Sequence, residues 1–264
     1  MSARFTIGNI DVSPLRVPLK RPFAIASTTI EQIDNVAVCI TLRDGTVGWG
    51  EIATLPPVTR CDGETALAQA RQLGAAFRGR EMPDFKGFSD LLALHGGDFP
   101  EIHAGFEMAY LDATASRQGV AIWQMLGGHY APVWTDMTIP ICDRQEARLL
   151  AEMYAFRGFE VLKTKVGLDM DEDVARLLAI KEGHPSCRIV VDANEGFNVD
   201  TAITFISVLE KAGVKIDLFE QPVARDDWDG LKAVSDASDV PVAADESCRG
   251  VADILFTSTY DNGD

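Results

Sequence analysis

Between residues 138 and 245 the chain repeats one pattern, a short apolar or β-branched run followed by a longer stretch of helical period. The short runs fall at 138–141, 161–165, 188–192, 216–220 and 242–245. The longer stretches between them fall at 145–157, 171–182, 199–212 and 226–237. Each repeat takes about 25 residues, enough for a strand and a crossover helix that brings the chain back in the same direction. Such alternation predicts a parallel sheet with helices packed on it. Short strands joined by long crossovers fit a (β/α) barrel of the TIM type better than an open sheet. A closed barrel has eight strands and about five can be counted here, so the barrel is expected to be incomplete.

The first half reads differently. Residues 5–17 alternate and run up to Pro18. Residues 36–42 form a β-branched run, Asp44-Gly45 is a hairpin turn signal, and 46–51 is the returning strand. Helical patterns follow at 63–78, 84–94, 100–119 and 122–126, the last stopped by Gly127-Gly128. The expected organisation is an α+β domain over residues 1–130 and a partial (β/α) barrel over residues 131–264.

Hydrophobic residues make up 47% of the 264 and charged residues 24%, ordinary for a globular chain with a sizeable core. The formal net charge of −16 argues against a nucleic-acid partner and against an anionic membrane surface. No apolar run reaches about 18 residues and the N-terminus already reads as a strand, so neither a transmembrane helix nor a leader peptide is expected. The five cysteines are widely spaced without a Cys-x-x-Cys pair, the pattern of reduced thiols in a cytoplasmic protein.

Placed on the repeat, the polar residues fall in phase. Lys163 and Lys165 close the second strand, Asp192 and Asn194 follow the third, Glu220 closes the fourth and Asp245 the fifth. Lys165, Asp192, Glu220 and Asp245 are separated by 27, 28 and 25 residues, one repeat each. The C-terminal ends of parallel barrel strands open on one face, where active sites form. Taken singly, an aspartate after a strand is most often a helix cap. Three carboxylates in phase are harder to explain that way. Brought together they would repel, and a divalent cation relieves the conflict. Without histidine or cysteine in the set, Mg2+ is the expected ion, one per site, with Mn2+ the alternative. Lys163 and Lys165 are two apart on a strand and point to the same side. A cation and a second ammonium nearby favour the neutral amine, which makes Lys165 the candidate general base and Lys163 its partner. His95, His103, His129 and His184 fall out of phase and are expected at the surface or in the core. The constellation suits removal of a proton next to a carboxylate, with the metal stabilising the enediolate so formed.

The motifs Val161-Leu162-Lys163-Thr164-Lys165-Val166-Gly167, Asp192-Ala193-Asn194, Glu220-Gln221-Pro222 and Asp245-Glu246-Ser247 resemble the enolase superfamily, in its muconate-lactonizing subgroup. Val47-Gly48-Trp49-Gly50-Glu51 and Met125-Leu126-Gly127-Gly128 are similar to its capping domain, and the resemblance runs from about residue 5 to about residue 255. Within the subgroup, the L-Ala-D/L-Glu dipeptide epimerases look most alike. The resemblance implies a capping domain before a TIM-like barrel of the enolase type. It implies a Mg2+-dependent isomerase, a racemase or epimerase of amino-acid derivatives. Its substrate would be a small molecule, a dipeptide or an N-acyl amino acid. Asp192, Glu220 and Asp245 would hold the metal, with Lys165 and Lys163 as the acid/base residues. Asn194, Thr28 and Thr59 would line the substrate site, Thr28 standing where these epimerases often carry an arginine. Homo-oligomerisation is left open. Muconate cycloisomerase-like or acid-sugar dehydratase-like chemistry are the alternatives within the superfamily. A non-catalytic metal-binding fragment is the alternative outside it.

The family continues with a lysine pair on a sixth strand and an acidic motif on the eighth, and neither follows Asp245 here. The sequence therefore reads as C-terminally truncated. With open parallel edges and no second lysine, weak or lost activity is expected.

Overall fold

The computed structural model describes residues 5–24, 29–56, 58–82, 84–97, 99–250 and 252–255. They divide into two compact units that part near residue 132, with residues 21–24, 29 and 30 counted in the second.

The first unit is built on strands β1 (Phe5–Ala24), β2 (Thr29–Leu42), β3 (Val47–Ile52) and β4 (Glu81–Met82), in the order β3-β2-β1-β4. In β2 the side chains of Val36, Val38, Ile40 and Leu42 are buried in alternation, the two-residue period of a strand with one core face. β2 and β3 pair antiparallel from Val36↔Ile52 to Thr41↔Val47. The Asp44-Gly45 turn forms as expected. Gly45 takes φ +90°, and Asp44 Oδ1 accepts from the Thr46 amide at 3.0 Å. β1 does not stop before Pro18. Among the described residues its far edge meets β4 at Phe5 and Thr6, with Ile7 bonded on to Gly79 and Arg80, all distant from Pro18, and a strand edge is where proline is tolerated. β4 was not expected; two residues carry no readable period.

Helices α1 (Gly63–Phe77), α2 (Phe85–His95), α3 (Pro100–Gln118) and α4 (Ile122–Met125) complete the unit. Asp62 and Asp84 cap α1 and α2. α3 begins on proline and ends at Gly119 with φ +68°. It lies directly on β3 because small residues line both surfaces. A Cβ on Gly50 would come within 2.0 Å of the Gly105 carbonyl oxygen, and one on Gly48 within 2.1 Å of the Ala113 nitrogen. The core around this contact holds Ile40, Ile52, Phe77, Phe106 and the stacked pair Phe88–Tyr110, with ring centroids 4.3 Å apart.

The second unit alternates as the repeat requires. Strands β5 (Met137–Ile139), β6 (Val161–Lys165), β7 (Arg188–Asp192), β8 (Leu218–Glu220) and β9 (Val242–Ala243) form one parallel sheet in sequence order. Helices α5 (Arg144–Phe156), α6 (Met170–Gly183), α7 (Val199–Lys211) and α8 (Trp228–Asp236) connect them. Each helix has its own cap: Asp143, Asp169, Asn198 and Asp227 accept from the amide three residues on. Ile139, Leu162, Ile189, Val191 and Phe219 bury on the helix side against Ala151, Leu177, Ile180, Phe205 and Leu209. β5 ends before Pro140, which has no amide for the ladder. β8 and β9 are each two residues shorter than expected, which leaves Asp245 beyond the sheet. No helix among the described residues is long and apolar enough to cross a membrane.

The β3–α3 contact leads to a test. Gly50→Ala should lower the unfolding free energy by about 3 kcal/mol, the upper end for overpacking against backbone. Val47→Thr, exposed on the same strand, should stay within about 0.5 kcal/mol. Urea unfolding of the two variants measures the difference; equal midpoints would refute the close-contact reading.

Candidate active site

Strand register builds the site. Lys165 pairs with Asp192, and Asp192 with Glu220. Register partners in a parallel sheet point to the same face, here the face opposite the helices. None of these residues caps a helix, because the caps come from later positions in each loop. The simplest structural explanation for the phased acids is thereby removed.

The side chains meet. Lys163 Nζ donates to both Glu220 oxygens at 2.7 Å and lies 2.9 Å from Asp192 Oδ2. Lys165 Nζ donates to the same Asp192 oxygen. Asp192 is fully buried, and the other three side chains are 11–19% exposed. Two lysine side chains meet two carboxylates. Burial works to raise the Asp192 carboxyl, but the bonds from Lys165 and Lys163 outweigh it and hold it below the usual carboxylate range. The Glu220 carboxyl goes the other way. Burial pushes it up, Lys163 only partly opposes, and the Asp192 charge adds to the rise. Lys163 is raised, because Glu220 and Asp192 overcome its burial, so it stays a firm ammonium.

The loops beyond the strands are tied together. Gly167 takes φ +109°, and a Cβ on it would come within 2.9 Å of Gly196 Cα, so the loops after β6 and β7 touch there. Asp173 is buried in α6, accepting from the Gly167 amide and from Arg176 Nη1, both at 2.7 Å. Arg176 also donates to the carbonyls of Lys165 and Cys142 at 3.1 and 2.9 Å. This pair ties off the chain just past Lys165. In sequence it is an ordinary i,i+3 pair, and nothing marks it.

Asn194, at φ +42°, donates through its amide to Asp192 Oδ1 and through Nδ2 to Glu246 Oε1, both at 3.0 Å. Both of these bonds serve carboxylates. Burial pushes the Glu246 carboxyl up, with the Asn194 bond opposing. Glu246 lies in the Asp245-Glu246-Ser247 motif, and nothing in the sequence alone marks it as a site residue. Only the fold brings it, 52 positions away in sequence, to Asn194.

The expected cluster of three carboxylates is not assembled. Asp245 stands exposed in the turn after β9, and no three His, Cys, Asp or Glu among the described residues converge to hold a metal. Asp192 and Glu220 instead close on the two lysines. The reason is local: β9 ends at Ala243, so no ladder fixes Asp245 beside its neighbours. The donor chemistry still fits a hard cation. The donors are all oxygens, and two carboxylates already converge on one cationic nitrogen.

Thr28 lies outside the described residues. Thr59 Oγ1 accepts from the Leu55 amide at 2.7 Å and donates to the Cys61 carbonyl at 3.1 Å, closing its own loop in the first unit. His184 Nε2 is 2.9 Å from the Phe159 carbonyl oxygen. The five cysteines are free. Burial, with Glu101 adding, pushes the Cys61 thiol up to about 12, and burial pushes Cys142 to about 11, so neither is a thiolate nucleophile.

Residues 9–127 match the mandelate racemase / muconate lactonizing enzyme N-terminal domain, and residues 145–256 the enolase C-terminal domain-like family. The chain belongs to the enolase superfamily. An L-Ala-D/L-amino acid epimerase of Populus trichocarpa is 43% identical over 91% of this chain and 58% of its own length. The L-Ala-D/L-Glu epimerase of Bacillus subtilis is 36% identical over 96% of this chain and 70% of its own. A dipeptide epimerase from Enterococcus faecalis V583, solved with Mg and the dipeptide L-Leu-L-Tyr, superposes with a TM-score of 0.90 at 29% identity. That match covers 97% of this chain and 71% of the other. The chain thus spans between 58% and 71% of the length of these relatives. They place the first unit as the superfamily's N-terminal domain and the second as its TIM-like barrel domain.

The opposed carboxyl shifts make a pH prediction. A lowered folded-state value stabilises above the unfolded value of about 4 and is lost as pH falls through it. Asp192→Asn should therefore be most destabilising at neutral pH, by about 3 kcal/mol, and progressively less so as pH falls below about 4. A raised carboxyl does the reverse, losing stability as pH rises from about 4.3. Glu246→Gln should gain on wild type between pH 4 and pH 7, read from thermal unfolding across that range.

Proposed function

We propose that this chain carries the metal-binding and first acid/base elements of an epimerase acting on dipeptides. The observation that carries the reading is the buried row of Lys165, Asp192 and Glu220, closed by Lys163 and spent on no helix cap. The epimerase names of the relatives support the substrate class, a dipeptide of the Ala-Glu or hydrophobic kind.

Asp192, Glu220 and Asp245 are the residues that would hold Mg2+. When bound, the ion supplies positive charge against the negative charge left on the substrate carboxylate by loss of the α-proton. Lys165, as the neutral amine, takes that proton at Nζ and becomes the ammonium. Its strand end is fixed from behind by Arg176 on the Lys165 carbonyl and by Asp173 on the Gly167 amide. Lys163, a firm ammonium on the same face, orients Asp192 and Glu220. Asn194 holds the second Asp192 oxygen in place. Thr59, its hydroxyl already engaged, shapes its loop and makes no substrate bond in this reading.

The test is deuterium uptake at the substrate α-carbon in heavy water, with Mg2+ and either L-Ala-L-Glu or a hydrophobic dipeptide. Wild type should incorporate label, and Lys165→Ala should slow it by about 10²-fold or more, the usual share of a positioned base. No uptake by wild type, or uptake unchanged in Lys165→Ala, overturns the assignment.

A further inference from the structure

Gln221 directly follows Glu220, is fully buried and takes φ +35°. A non-glycine residue keeps that left-handed backbone only where its surroundings hold it. Its side-chain oxygen accepts from two amides of the next loop, Asp245 at 2.9 Å and Ser247 at 3.1 Å. Its Nε2 donates to the Val223 carbonyl at 3.0 Å and to Ser247 Oγ at 2.8 Å. Ser247 Oγ passes its own hydrogen to the Arg225 carbonyl at 2.7 Å. The Gln221 backbone joins in, donating to Ala243 and accepting from the Glu195 amide, each at 2.9 Å. One residue therefore binds together the chain ends beyond β7, β8 and β9.

We infer that Gln221 is the positioning residue for Asp245. The ladder of β9 stops at Ala243, so the Gln221 oxygen takes over and fixes the backbone that carries the third carboxylate. The position requires an amide. Two N–H groups need an acceptor while a carbonyl and a hydroxyl need donors, and neither glutamate nor methionine offers both. The inference rests on the metal reading proposed above. Partners that orient ligands are commonly worth about 10–100-fold in metal affinity.

Two measurements on the full chain test it. By amide hydrogen exchange, Asp245 and Ser247 should be protected in wild type. In Gln221→Met both should lose protection about tenfold, while the amides of β6 and β7 keep theirs. By electron paramagnetic resonance, Mn2+ should bind about tenfold more weakly to Gln221→Met than to wild type. In an Asp245→Asn background the same change should add no more than about twofold, since Gln221 acts through Asp245. Unprotected Asp245 and Ser247 amides in wild type overturn the inference even if the variant does not fold. A full further loss of Mn2+ affinity in the Asp245→Asn background also overturns it. If wild type binds no Mn2+, the proposed metal function fails. Selective loss of Asp245 and Ser247 protection in Gln221→Met then still supports the positioning role.

Discussion

Charge compensation around Asp192 is the interaction on which the second unit's site depends. A fully buried carboxylate without partners is strongly unfavourable. Lys165 and Lys163 remove that penalty by meeting one of its oxygens, and the Asn194 amide meets the other. The arrangement is possible only because parallel register puts Lys165, Asp192 and Glu220 in one row on one face. The opposite face of the same strands is apolar and buried under helices. One alternation thus builds a core on one side and a polar site on the other.

Stability does not account for such a cluster. Replacing buried ion pairs by apolar residues of similar size is often neutral or stabilising. A row of branched apolar residues would close this face at less risk. The chain instead supplies separate helix caps and leaves the strand-end acids unspent. The two carboxyls are also driven apart, Asp192 down and Glu220 up, though Lys163 touches both. Environments that split like groups in this way are a feature of sites built for chemistry.

Much of this was legible beforehand, and the reason is periodicity. The helices of the second half and strands β6 and β7 fall where the repeat puts them, since burial on one face imposes a period that survives in a single sequence. The Lys163–Lys165 pair was legible because alternate strand residues share a face. The failures have physical causes too. β1 runs past Pro18 because its described partners on the far edge meet only its first residues, Phe5 to Ile7, which no local pattern records. β9 is short and Asp245 stands outside the sheet, since strand ends are set by neighbours. The roles of Gln221, Glu246 and Arg176 are not legible in the sequence because their partners lie in other loops.

By itself the sequence determined the residue types and their phase. Two lysines and three acids, spaced one repeat apart, must arrive at the same end of a parallel sheet if each repeat is a strand and a returning helix. The tertiary structure decided which of them meet. It closed Asp192 and Glu220 on the lysines, left Asp245 in a turn, and gave Gln221 the task of holding that turn. Phase is set by local backbone geometry, which each segment carries in its own residues. Contact is set to within fractions of an ångström by strand length, loop closure and packing between segments distant along the chain.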